Sequence, residues 1–167
     1  MAPHEHDRKK KTHHQESRRA LNTPENALKA VSAARACIGS LAAGKVWKHR
    51  APHGIEIKGA LTIDGSAVVI LHFSPEDGSV LPKGLHGFSE GTPELISDIE
   101  SRLSDYPERL IVLEGAEFRE PEFCWAIPLV CDGRIVAHLK VSSDGSEIMP
   151  DKKAMEEIQS LIRRDES

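Results

Sequence analysis

The stretch "LHFSPEDGSVLP" at residues 71–82 has a near-copy, "LKVSSDGSEIMP", at residues 139–150. Working outward from this pair, further landmarks recur in the same order. Thr-Pro-Glu opens both copies, at 23–25 and 92–94, an offset of 69 residues. A first Asp-Gly stands at 64–65 and 132–133 (offset 68), and a second at 77–78 and 144–145 (offset 67). The closing prolines, Pro82 and Pro150, are 68 apart. One-residue drifts in loops, with every landmark in order, point to a tandem repeat.

Each landmark has a physical meaning. A Thr followed by Pro and Glu reads as the start of a helix. The hydroxyl accepts an orphan N–H, proline is tolerated in the first turn, and the acid suits the positive helix end. Leu28, Val31, Ile38 and Leu41 then fall on one helical face, as do Leu95, Ile99, Leu103 and Tyr106 in the second copy. Gly44 and Pro107 mark where these helices have stopped. Extended segments follow ("KVWKHR" and "GIEIKGALTI"; "RLIVLEGAEF" and "EFCWAIPLVC"), and Asp-Gly between such runs is a strong hairpin signal. The expected fold class is therefore α+β: a tandem repeat of a helix followed by an antiparallel β-meander, plus a C-terminal helix. The division is an arm at 1–21, then one domain at 22–167 made of unit 22–90 and unit 91–150. A closing helix at 151–164 carries Met155, Ile158 and Ile162 on one face.

Composition narrows the function classes. The 167-residue chain is 39% hydrophobic and 29% charged, ordinary for a globular protein. It holds no apolar run near the roughly 20 residues that span a bilayer. A polar beginning without an apolar h-region leads to the expectation of a cytoplasmic protein with no membrane association. Residues 1–19 hold six Lys or Arg against three acids, and the remainder holds 16 basic and 23 acidic residues. A basic arm on an acidic body argues against a nucleic-acid grip by the folded part. The arm lacks apolar periodicity and is expected to be disordered. Cys37, Cys124 and Cys131 have no CxxC spacing and sit in apolar settings, as free buried thiols do.

The strand after the first hairpin indicates how the sheet is used. Ala67, Val69, Leu71 and Phe73 match Ile135, Ala137, Leu139 and Val141, an apolar set expected to face the helix. The other face reads Val68, Ile70 and His72 against Val136, His138 and Lys140. Being more apolar in the first unit, it calls for cover by the other unit, by the mate of a homodimer, or by a partner protein or peptide.

The Thr-Pro-Glu helix followed by "IEIKGALTIDGSAVVILHFSPEDGSVLP" resembles the PepSY domain, the module of peptidase propeptides, over roughly 22–83 and again over 91–150. That resemblance implies a non-enzymatic interaction module.

Candidate chemistry is sparse. There is no Gly-x-Ser-x-Gly and no Cys in an electropositive stretch. "GSLAAGK" at 39–45 ends a helix instead of starting one, so it lacks phosphate-loop mechanics. Trp47 and Trp125 stand at strand positions and read as packing residues. His49 and His53 are four apart, but Pro52 and Gly54 make that segment a hairpin turn, where helical ligand spacing does not apply. No catalytic residue, metal-ligand set or cofactor is assigned. His72 and His86 have no counterparts in the second unit, and with Val68 and Ile70 they form the candidate binding surface. The expected function is a non-enzymatic protein- or peptide-binding accessory module that awaits its partner on that face. The alternative is a metal-handling accessory protein that uses His4, His6, His13 and His14 of the arm, with His72 or His86.

Overall fold

The computed structural model describes residues 21–165, and the fold is α+β. Helix α1 (Pro24–Ile38) leads into strands β1 (Ala42–Ala51), β2 (Gly54–Ile63) and β3 (Ser66–Phe73). Helix α2 (Pro93–Arg102) continues through a 3-10 turn at Leu103–Asp105 into the short helix α3 (Tyr106–Arg109). Strands β4 (Ile111–Val112), β5 (Glu117–Arg119), β6 (Cys124–Cys131) and β7 (Arg134–Ser142) follow, and helix α4 (Lys152–Asp165) closes the chain.

The helix starts follow their capping chemistry. Thr23 Oγ1 accepts the N–H of Asn26 at 3.2 Å, and Thr92 Oγ1 accepts that of Leu95 at 3.1 Å. Both expected hairpins form. Asp64 and Gly65 take φ of 49° and 81°, and Asp132 and Gly133 take 50° and 77°, the paired positive values of a type I′ turn. Pro107 lies inside the first turn of α3 and does not mark a stop, because proline lacks only an N–H that a first turn leaves unused. Gly44 is likewise no helix end: it sits in β1 at a register irregularity, where a Cβ would lie 2.7 Å from Thr62 Cγ2.

Strands β1, β2 and β3 make one antiparallel sheet in sequence order. In the other, β6 pairs with β7 along its length and with β4 and β5 at separate stretches. The segment after each second Asp-Gly returns along its own sheet: Val80 bridges Phe73, and Ile148 bridges Val141. The halves then exchange a matched pair of backbone bonds. Lys83 N–H donates to Ile135 O and Asp151 N–H to Ala67 O, each at 2.8 Å.

The helices are exchanged as well. Helix α1 packs chiefly on β6 and β7, whereas α2 packs on β1 and β2. One apolar cluster therefore runs through both halves, from Val31 and Ala34 to Leu71, Phe73, Leu103, Ile127 and Leu139. The buried face of α1 is Ala30, Val31, Ala34 and Cys37. Leu28, expected on it, is 69% exposed. The helix approaches the second half closely near Ala30: a Cβ on Gly145 would meet Asn26 O and Lys29 Cβ at 2.7 Å. The three cysteines are free and buried, and burial pushes the Cys37 thiol up to about 11.

Two β-bulges alter the expected faces. Val69 pairs with Leu61 but Ala67 with Thr62, which leaves Val68 as an extra residue. Val68 consequently turns into the main core at 6% exposure, while Ala67 turns to the opposite side. The same happens at Val136: it is buried, and Ile135, expected to face the helix, is 38% exposed. The second face of the first sheet is not open. Helix α4 lies over it, setting Ala154, Met155, Ile158 and Leu161 against Trp47, Ala60, Ala67 and Ile70. Leu161 takes the inward place expected of Ile162, which is exposed.

Candidate functional site

Of the four residues expected to form a binding surface, Val68 belongs to the core and Ile70 lies beneath α4. These two are covered from within the chain, so the face does not await a separate partner. His72 and His86 remain, and the structure brings them to one polar cluster at the end of that face.

The cluster is built around Glu56 on β2. Across the Pro52–Gly54 turn, His53 Nε2 lies 3.0 Å from Glu56 Oε1. His86 Nδ1, from the loop that joins the halves, lies 3.6 Å from the same oxygen. The other carboxylate oxygen faces Lys58 Nζ at 3.3 Å. Lys58 is only 5% exposed, and its ammonium is held by both oxygens of Glu157 on α4, at 2.9 and 3.0 Å. A buried charge requires such pairing, because an unpaired one would carry a large desolvation penalty. His49 Nδ1 extends the chain of contacts, 3.0 Å from Glu157 Oε1. His72 stands directly opposite Lys58 in the β2–β3 register.

These environments set the charges. Burial raises the Glu56 carboxyl, but the His53 bond and the Lys58 charge and bond outweigh it, and the net pKa is lowered. Burial depresses the His72 imidazole, against the opposing pull of Glu56. At neutral pH the cluster thus holds an ionised carboxylate beside imidazole rings, two of which are open to solvent. Such a set can exchange a proton or coordinate a cation.

The loop at 83–91 is fastened on several sides. Glu76 Oε1 accepts the N–H groups of Phe88 at 2.8 Å and Ser89 at 3.2 Å. The Phe88 N–H is the main reason that the Glu76 pKa is lowered, with the Ser74 hydroxyl second. Gly87 has no room for a side chain: a Cβ would lie 2.1 Å from Pro75 Cδ. The His86 ring lies 3.8 Å, centroid to centroid, from that of His53. At its root, Lys83 Nζ meets His138 Nδ1 at 2.6 Å, and burial together with this ammonium pushes the His138 pKa down to about 4. This fastened backbone presents two apolar side chains to water, Leu85 and the fully exposed Phe88.

Sequence reasoning missed Glu56, set His53 aside as a turn residue, and missed Phe88. The sign of the first two was "HGIE", in which residues three apart meet across a turn; a test of helical spacing could not find them. Trp47 and Trp125 are packing residues as expected, both buried, with Trp125 Nε1 donating to Ser143 O at 2.8 Å. The arm histidines lie outside the described residues. Among those described, no helix is long and apolar enough to cross a membrane. No protein-family model, curated protein or solved structure matches this chain.

Proposed function

We propose that the protein is a non-catalytic accessory module that binds a protein or peptide through the loop at 83–91. The observation that carries this reading is Phe88, fully exposed on a backbone held by Glu76 and by the close approach of Gly87 to Pro75. Because the backbone that carries it is already held, binding has to order only the Phe88 side chain, which limits the conformational freedom that a small surface loses on binding. Leu85, on the same loop, widens the apolar contact. The non-catalytic reading is supported by the thiols, which are buried and raised in pKa and so poorly suited to attack. It also agrees with what the PepSY resemblance implies.

The partner site thus moves from the face of β3 to the loop between the halves. The test is co-purification from native extract with the full-length protein and its Phe88→Asp variant. The wild type should retain a partner in fixed proportion and the variant should lose it, with no change in thermal midpoint. Sedimentation of both proteins covers the case in which the partner is a second copy. A variant that keeps the same partner at the same yield would refute the reading.

A further inference from the structure

We propose that His53, Glu56 and His86 form a binding site for a divalent transition-metal ion of the zinc, copper and nickel class. Their ligand atoms all lie within 4.8 Å of one another, although they come from two segments distant in sequence: the β1–β2 turn with β2, and the loop between the halves. Glu56 Oε1 is the common focus, 3.0 Å from His53 Nε2 and 3.6 Å from His86 Nδ1. Bonds of about 2.0–2.2 Å to a tetrahedral ion place such ligands roughly 3–3.5 Å apart. The closure needed is therefore about an ångström or less per ligand, within reach of side-chain torsions on solvent-facing rings.

The surroundings suit the assignment. Lys58 engages Glu56 Oε2 and leaves Oε1 directed at the histidines, while Glu157 holds Lys58 in turn. Such outer partners orient a ligating carboxylate and commonly matter to affinity. Two imidazoles and one carboxylate select borderline ions over calcium or magnesium, which prefer all-oxygen shells. Three protein ligands leave at least one coordination position for water or for a donor from another molecule. Because position 86 lies in the joining loop, the ion ties that loop to the β1–β2 turn. The site stands whether or not Phe88 contacts a partner.

The test uses the full-length chain with His4→Gln, His6→Gln, His13→Gln and His14→Gln, so that arm histidines do not compete. Titration with zinc chloride should show one saturable ion per chain. Glu56→Gln and His86→Ala, each added separately, should weaken it by at least about 100-fold, since a lost ligand exceeds the roughly 10–100-fold typical of a lost outer partner. In spectra of histidine ring nitrogens, zinc should shift His53 and His86. Absence of saturable binding, unchanged affinity in both variants, or shifts confined to other histidines would overturn the proposal.

Discussion

Replacing Ile70 by lysine tests whether α4 covers the first sheet. Ile70 lies half-buried against a cluster in which Trp47, Ala60, Ala67 and Ala154 are all buried. Fully burying an isoleucine contributes about 1.5–3 kcal/mol, so a half-buried one loses roughly 1–2 kcal/mol when its apolar surface is withdrawn. The lysine stem can run along the sheet and carry its ammonium to water, which avoids the full penalty for burying a charge. It must still displace Met155 or Ile158 to do so, and such crowding adds about 1 kcal/mol or more. The total is about 2–3 kcal/mol. That is a large share of the roughly 5–15 kcal/mol by which domains are stable, and about 5–10 °C in midpoint at this size. The variant should remain folded, with a lower urea midpoint, an unchanged denaturant slope and faster amide exchange over 152–165. Stability and exchange equal to the wild type would refute the placement of α4, because a face open to solvent accepts lysine without loss.

Further outcomes follow from the same contacts. Fragment 22–90 retains α1 and the first sheet but lacks Ile99 and Leu103, the latter packed within 3.0 Å of where a Gly59 Cβ would sit. It should show no cooperative melt by circular dichroism, and a sharp monomeric transition would contradict the exchanged packing. His138 has a folded pKa near 4, against 6.5 for the ordinary imidazole. The unfolded chain therefore takes up the proton first on acidification, so stability present above about pH 6.5 should decline toward pH 4, and His138→Gln should flatten that decline in urea titrations. Lys83→Met should move the His138 pKa back toward 6.5 when followed by ring-proton NMR. No movement would mean that the ammonium contributes nothing.

What could be read from the sequence was what local chemistry decides. Thr23 and Thr92 cap helices, and Asp64-Gly65 and Asp132-Gly133 turn hairpins, because each needs only its immediate neighbours. Alternation failed where one extra residue entered a strand. The bulges at Val68 and Val136 move both valines into the core, and no residue type there announces a bulge. Leu28 misled for a different reason: the buried side of α1 is the stripe of Ala30, Val31, Ala34 and Cys37, and Leu28 lies off it. The site depended on the path of the chain. Glu56 was legible as a strand residue, but its meeting with His86 arises because Gly87 lets the joining loop settle on Pro75. The cover over Ile70 was overlooked for a related reason, since α4 returns to the first sheet from the far end of the sequence.

The most direct test of the loop as the binding site is photo-crosslinking from position 88. The full-length chain would carry a benzophenone amino acid there, with position 28 as a control that is also exposed. Irradiation in the native cell should give one discrete adduct from position 88, to a protein, a peptide or a second copy of this chain, and none of that mass from position 28. The same faint, heterogeneous products from both positions would contradict a binding role for the loop.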